Sequence, residues 1–405
     1  MRRRTAGTLA GGLILALVPF LSSPASAAPA AATSATVAAA PVVQHPFHHA
    51  CSTPGAGRAS CNALVRGDVA TSAAAVRRAA AAPSGLSPAN LQSAYKLSAS
   101  GGSGQTVAIV DAYNAPTAEA DLGVYRSQYG LPACTTANGC FKKVNQTGGT
   151  SYPSTDGGWA QEISLDLDMV SAVCPNCKIV LVEATSASFA NLGTAENTAA
   201  GLANVISNSY GGSDASDSTY GTYYNHPGKA ITVSSGDSGY GVEYPASSHY
   251  VTAVGGTSLK TASNTRGWTE TAWSGAGSGC SSYNTALSGQ SGVGTGCSRR
   301  AVADVSAVAD PNTGVAVYDS TAYQGQSGWM VFGGTSVAAP VIGGVYGAAG
   351  NAASIDNNYP YSHSSSLFDV TSGSNGSCST SQLCKARTGW DGPTGLGTPN
   401  GTGAF

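Results

Sequence analysis

Charge is scarce in this sequence: of 405 residues only 10% are Asp, Glu, Lys or Arg, and the formal net charge is −2. Nothing is available to build a basic face that neutralises phosphates, so no nucleic-acid partner is expected. Long apolar runs are lacking as well. Leu9 to Leu21 is too short to span a bilayer, and the uncharged stretch from Val331 to Gly350 is interrupted by six glycines, one proline and hydroxyl residues. No membrane anchor is therefore expected in the mature chain. Glycine, by contrast, numbers 53, which with abundant Ser and Ala would suggest low complexity. Against that stand 18 Tyr, 5 Trp and 42% hydrophobic residues, enough to bury a full core. The length fits one large domain plus extras, or two domains, and the composition describes a folded, loop-rich protein.

The first residues set the compartment. Arg2, Arg3 and Arg4 precede the apolar run, and Pro24-Ala25-Ser26-Ala27-Ala28 has the small-residue form of a secretory cleavage site. Residues 1–27 are expected to be a signal peptide cut after Ala27, giving a secreted protein. Removing three arginines and no acid takes the formal charge from −2 to −5. So few charges limit the self-repulsion that unfolds proteins in acid. Residues 28–85, rich in Ala, Pro, Thr and Ser and containing Arg77-Arg78, read as a linker or reduced pro-segment, with the domain proper over 86–405. Ten cysteines in an exported chain predict five local disulfides between sequence neighbours: 51 with 61, 134 with 140, 174 with 177, 280 with 297, and 378 with 384. Cys174-Pro175-Asn176-Cys177 has no second CxxC and no nearby His to complete a zinc site, so it reads as a stapled turn.

Short apolar runs at Thr106–Asp111, Lys178–Glu183, Val205–Asn208, Ile231–Ser234 and Val251–Val254 alternate with helix-length segments. That pattern predicts an α/β fold, a doubly wound parallel sheet covered on both faces, with function at the carboxyl ends of the strands. One intervening segment, Trp159–Val173, places Trp159, Ile163, Leu167 and Val170 at helical spacing. On that helix Glu162 and Asp166 lie about 40° apart and share a face, whereas Asp168 falls about 240° from Glu162 and points elsewhere. Two acids so placed repel unless they share a proton or serve a site; a solvated acidic face is the plain alternative. Further along, Gly333-Gly334-Thr335-Ser336 enters a small-residue helix, whose positive dipole end would help a nucleophilic Ser336, although taken alone the stretch reads as an ordinary serine cap. Ser234-Ser235-Gly236-Asp237-Ser238-Gly239 follows a strand directly.

Taken in order, the stretches QEISLDLDMVSAVCPNCKIVLVEA, VISNSYGG, SGDSG, GGTSVAAP, FDVTSG and GWDGPTGLGTPNG resemble the sedolisin family, the serine-carboxyl peptidases, over residues 86 to 401. The resemblance implies a subtilisin-like single catalytic domain. It further implies Ser336 as nucleophile, Glu162 as general base, Asp166 as the acid that orients and shares a proton with Glu162, and Asp237 as an oxyanion donor. Such a site suits acid, since a Ser–Glu pair needs a tuned carboxylate and only a protonated Asp237 can donate. Subtilisins are the nearest rival, with Asp111 ending the first strand. None of the six histidines (45, 48, 49, 226, 249, 363) heads the catalytic helix that family requires. Some sedolisins carry an extra acid where Asp111 stands, so Asp111 is expected either to extend the proton-sharing chain or simply to cap its strand.

Ser209-Tyr210-Gly211-Gly212 resembles the family's substrate edge, where an extended peptide adds beside Gly-rich backbone. Near the C-terminus, Asp369 and Asp391 with the carbonyls of Val370, Arg387 and Gly389 resemble the family's calcium site, an all-oxygen set suited to Ca2+. The expectation is thus a secreted, monomeric, acid-acting endopeptidase acting on polypeptides. Its rivals are a tripeptidyl-type exopeptidase and a peptide-binding or cell-surface protein on the same scaffold without turnover. His45, His48 and His49, the tripeptide Arg66-Gly67-Asp68, and sequons at Asn145, Asn375 and Asn400 are read as incidental, the sequons mattering only in a eukaryotic secretory route.

Overall fold

The computed structural model describes residues 44–68 and 83–405. The signal peptide, its cleavage site and Arg77-Arg78 lie outside the described residues. Along the chain come three short strands, β1 (Phe47–His49), β2 (Ser60–Cys61) and β3 (Leu64–Arg66). Helix α1 (Pro88–Tyr95) follows, started by a Ser87 side chain that accepts from the Asn90 amide, and then β4 (Thr106–Ala112) and α2 (Ala118–Gln128). Next are β5 (Phe141–Asn145), α3 (Gly157–Val173), β6 (Lys178–Ala184) and α4 (Phe189–Ala200). Beyond these lie β7 (Val205–Asn208), β8 (Tyr210–Ser213), β9 (Ala230–Ser234), β10 (Glu243–Tyr244), β11 (Thr252–Thr261) and β12 (Trp268–Ala272). The remainder holds β13 (Gly279–Cys280), β14 (Ala301–Val302), β15 (Val305–Val308), the hairpin β16 (Val315–Tyr323) and β17 (Gln326–Gly333), and α5 (Thr335–Ala349).

Eight of these strands form the central sheet in the order β12-β11-β9-β7-β4-β6-β5, with β15 also on β11. Every pair is parallel except β11 with β12, where Thr257–Thr261 runs back along Trp268–Ala272. The predicted doubly wound α/β sheet is therefore present. Residues 107–112 of β4 are all buried, as a strand covered on both faces must be. Order reverses around β4, whose neighbours β6 and β7 continue to opposite edges, and it is beyond the carboxyl ends at such a switch point that open α/β sheets place their ligand crevice.

Helix α3 begins two residues before the predicted Trp159, because Asp156 accepts from the Trp159 amide at 3.0 Å and caps it. All of α3 after Gly157 is buried, since it packs against α5 as well as the sheet and β16. A Cβ on Gly344 of α5 would lie 2.3 Å from Val173 Cγ2, so this glycine sets how closely the two helices approach. The five expected disulfides are all formed. Asn375 does not suit glycosylation: it is 4% exposed and donates to the Ala276 carbonyl and Ser278 Oγ, both at 2.6 Å.

Residues 44–68, within the stretch read as a linker or reduced pro-segment, form strands paired with the domain. β1 pairs with β3, β3 with β17, and β2 with β8, all antiparallel, and Cys51–Cys61 staples the turn between. Strands of two or three residues show no period of their own, and the partners that tie β2 and β3 to the rest of the domain lie more than a hundred residues away. Arg66 and Asp68 are paired to each other and to His45, which accounts for that tripeptide without a partner.

Candidate active site

Three carboxylates converge under the crevice. Glu162 and Asp166, one turn apart on α3, and Asp111 at the end of β4 are all 0% exposed, so the solvated-face alternative fails. Burial pushes all three carboxyls well above the ordinary range, each further raised by the field of a neighbouring acid: Asp166 and Asp111 at Glu162, Asp111 at Asp166, and Glu183 at Asp111. Glu162 Oε1, Asp166 Oδ2 and both oxygens of Asp111 meet no donor. Burial without donors therefore favours the protonated form at these acids, and the field of each raises the others' tendency to stay protonated.

Ser336 is the second residue of α5. Gly334, at φ +94, turns the chain from β17 into this helix, a backbone geometry that favours glycine. Ser336 Oγ donates to Glu162 Oε2 at 3.0 Å and lies 3.1 Å from the Ser209 carbonyl. Ser209 Oγ in turn donates to Asp166 Oδ1 at 2.7 Å. None of the six histidines hydrogen-bonds to these groups; those with partners bond to residues elsewhere. Asp168, as predicted, points away and accepts from the Tyr318 amide.

Asp237 sits in the loop after β9, with Oδ1 accepting from the Thr335 amide at 2.7 Å and from Thr335 Oγ1 at 2.8 Å. Its Oδ2 meets no donor, and burial drives its pKa well up, more strongly than the Thr335 bonds pull it down. A Cβ on Gly334 would lie 2.0 Å from the Asn62 carbonyl oxygen and 2.5 Å from Asp237 Oδ2, so these two oxygens flank one point. Sequence reasoning missed Asn62 altogether. Its carbonyl accepts from the Ser336 amide at 3.1 Å, and its own amide donates to the Ser209 carbonyl at 3.1 Å. The predicted substrate edge is thus occupied by the chain itself: Ser60 opposes Gly211 and Cys61 opposes Tyr210. A Cβ on Gly212 would stand 2.7 Å from the Arg58 carbonyl, which is the close approach expected of that glycine.

The loop expected to hold calcium is also assembled. Asp369 Oδ2 accepts from the Gly389 amide, and Asp391 Oδ2 from the Arg387 amide, so both carboxylates address one turn. Arg387 sends its guanidinium outward to Gln382. Among the described residues the carbonyls of Val370, Arg387 and Gly389 accept no hydrogen bond, and no group of three or more His, Cys, Asp or Glu forms a metal cluster. Two mutually repelling carboxylates and three unclaimed carbonyls fit a hard cation that takes oxygen ligands.

Carboxyls with raised pKa values reverse the usual dependence of stability on pH. Below the ordinary carboxyl range both the folded and unfolded forms are protonated. As pH rises, the unfolded chain ionises first and gains free energy the buried groups do not. Glu162, Asp166, Asp111 and Asp237 act in this sense, as do Glu243 and Asp319, pushed up by burial to about 7, and Glu196, pushed to about 8. Asp68, held down to about 2 beside Arg66 in an exposed pair, and His48 and His226, lowered by burial, oppose them; the exposed pair contributes little and the two histidines are outnumbered by the buried acids. Thermal melts are expected to show the highest unfolding temperature in acid and a steady fall towards neutral pH. A melting temperature that climbs between acid and neutrality would contradict the burial of these acids.

No family model matches the chain. Kumamolisin of Bacillus sp. (strain MN-32) is 30% identical over 368 residues, covering 80% of this chain and 64% of that protein. Sedolisin of Pseudomonas sp. (strain 101) is 30% identical over 349 residues, covering 72% and 58%. The chain therefore spans about three-fifths of the length of these curated relatives. A solved structure of Pseudomonas sedolisin, a serine-carboxyl proteinase complexed with pseudo-iodotyrostatin, aligns with a TM-score of 0.65 at 29% identity, over 79% of this chain and 96% of that one. The chain belongs to the sedolisin family. Among the described residues no helix is long and apolar enough to cross a membrane.

Proposed function

We propose that this protein is a secreted, acid-acting serine-carboxyl endopeptidase. The observation that carries the reading is the 3.0 Å hydrogen bond from Ser336 Oγ to a buried Glu162, in a site with no histidine to serve as base. In the reaction, Ser336 attacks the peptide carbonyl while Glu162 takes its proton. Asp166 and Asp111 hold further protons beside Glu162, keeping one carboxylate basic enough to act and another able to return a proton to the leaving amine. The Ser336 amide and a protonated Asp237 donate to the developing oxyanion. Endopeptidase action is supported by the course of residues 58–66, which run through the crevice on both sides of Ser336. An exopeptidase would need one side closed. Incubating the mature protein with a denatured protein and sequencing the products by mass spectrometry tests this. Internal fragments support the reading, serial release of N-terminal tripeptides points to the exopeptidase, and intact substrate at every pH to a binding protein on this scaffold.

Asp369, Asp391 and the carbonyls of Val370, Arg387 and Gly389 would hold Ca2+, which supplies structural cross-linking of a loop rather than chemistry. A ligand bound only by the native state stabilises it by about 2.7 kcal/mol at a hundredfold excess over Kd. Chelation is therefore expected to lower the unfolding temperature by a few degrees, and calcium to restore it. An unchanged melting curve with no metal by elemental analysis would remove the site.

A further inference from the structure

Residues 58–66 lie in the crevice as a substrate would. On one side Ala59 donates its amide to the Ala187 carbonyl at 2.8 Å, while Ser60 and Cys61 pair with Gly211 and Tyr210 on the other. Past Ser336, Leu64 and Val65 pair with Gly333 and Phe332. The Asn62 carbonyl faces the Ser336 amide. The bond presented to the nucleophile is thus Asn62–Ala63, and the Asn62 side chain fills the pocket that reads the residue before the cut. There its Nδ2 donates to Ser234 Oγ at 3.0 Å and to Glu243 Oε2 at 3.3 Å. Glu243 reaches that pocket only because its carboxyl packs over two glycines: a Cβ on Gly211 would lie 2.0 Å from Oε2, and one on Gly236 2.8 Å from Oε1.

We propose that Glu243 and Ser234 make this site select an asparagine immediately before the bond it cuts, and that Asn62–Ala63 is the first such bond the protein meets. The proposal rests on the peptidase reading above. A carboxamide both donates and accepts at every pH, so it matches Glu243 protonated or ionised, whereas a leucine leaves both buried polar groups unpaired. An aspartate matches only while protonated. At the chain's own bond, Ser336 Oγ bonds to the Asn62 carbonyl carbon as its proton passes to Glu162. The carbon–nitrogen bond then breaks with that proton going to the Ala63 amine, and water hydrolyses the ester to leave an Asn62 carboxylate and free Ser336. Cys51 and Cys61 both precede this bond and the other four disulfides all follow it, so no bridge would hold the two pieces together.

Peptides of sequence Arg-Ala-Ser-Ser-X-Ala-Leu-Val-Arg, copying residues 58–66 with serine for Cys61, provide the test. With X as asparagine, kcat/KM in acid is expected to exceed that with leucine by on the order of tenfold or more, as for a site whose buried polar groups need a partner. The asparagine-to-aspartate ratio is expected to rise with pH. Glu243→Ala should collapse the asparagine-to-leucine ratio and Glu243→Gln, whose amide oxygen still accepts, should keep part of it; Ser234→Ala should reduce it as well. Equal rates for asparagine and leucine, or a ratio indifferent to both the Glu243 and Ser234 substitutions, would overturn the specificity while leaving the peptidase reading intact. Hydrolysis of no peptide would overturn both. In the full chain held in acid, a non-reducing gel and N-terminal sequencing should reveal a fragment beginning at Ala63, absent from Ser336→Ala. A fragment with another N-terminus, equally abundant in Asn62→Leu, would overturn the assignment of the bond.

Discussion

Replacing Ser336 by alanine is expected to lower kcat for peptide hydrolysis by on the order of a millionfold, the scale seen when a serine peptidase loses its nucleophile or base. Glu162→Gln should cost a comparable factor, and the double variant little more than either alone, because the two groups act in one proton transfer. Geometry is the ground for this: Ser336 Oγ has only Glu162 Oε2 and the Ser209 carbonyl as partners, and a carbonyl is no base. The fold should survive both changes. Gln is isosteric with Glu and removes an acid whose burial opposes ionisation, so Glu162→Gln should melt no lower than wild type and lose less stability as pH rises. Near-normal turnover by Glu162→Gln, measured by steady-state kinetics beside a thermal melt, would refute its role as base.

Asp237→Asn is expected to reshape the pH profile more than any other substitution. One oxyanion donor contributes about 2.7–4 kcal/mol to the transition state, so a misoriented amide lowers total activity. The diagnostic is the alkaline limb. Burial holds Asp237 protonated well beyond the ordinary range, but once it ionises it repels the charge it should stabilise. An amide donates at every pH. The residual activity of Asp237→Asn should therefore decline less steeply on the alkaline side, with what decline remains belonging to the Glu162–Asp166 pair, which titrates as a unit. Limbs of equal steepness in kcat against pH would remove Asp237 from the oxyanion site.

Much of this arrangement could be read from local spacing. Glu162 and Asp166 sit four apart on an apolar-periodic helix, and Ser336 follows a glycine pair, so their positions on α3 and α5 were legible without tertiary information. The parallel strands β4, β6, β7, β9 and the start of β11 showed themselves as short continuous apolar runs, whereas β5, with Lys142 and Lys143 at its centre, did not. Most of what stayed hidden comes from pairing between residues remote in sequence. Asn62, Ser234 and Glu243 meet in one pocket from three segments, and nothing local marks their meeting. β1 to β3 lie in an Ala- and Pro-rich stretch that reads as linker, and draw their order from β8 and β17. The hairpin β16–β17 left a signal that could have been used, since Gln324 and Gly325, both at positive φ, make a two-residue turn between Tyr323 and Gln326. The loop proposed to hold calcium was placed by resemblance alone, and its unclaimed carbonyls became apparent only in three dimensions.

The central claim, that a serine activated by a carboxylate forms an acyl-enzyme in acid, has a direct measurement. The mature protein is mixed with a peptide ester at acidic pH, quenched in strong acid within the first turnovers, digested and mapped by mass spectrometry. The account predicts the acyl group on Ser336, none in Ser336→Ala, and a greatly reduced amount in Glu162→Gln. Rapid product release with no acylated Ser336 at any quench time, together with turnover retained in Ser336→Ala, would contradict it.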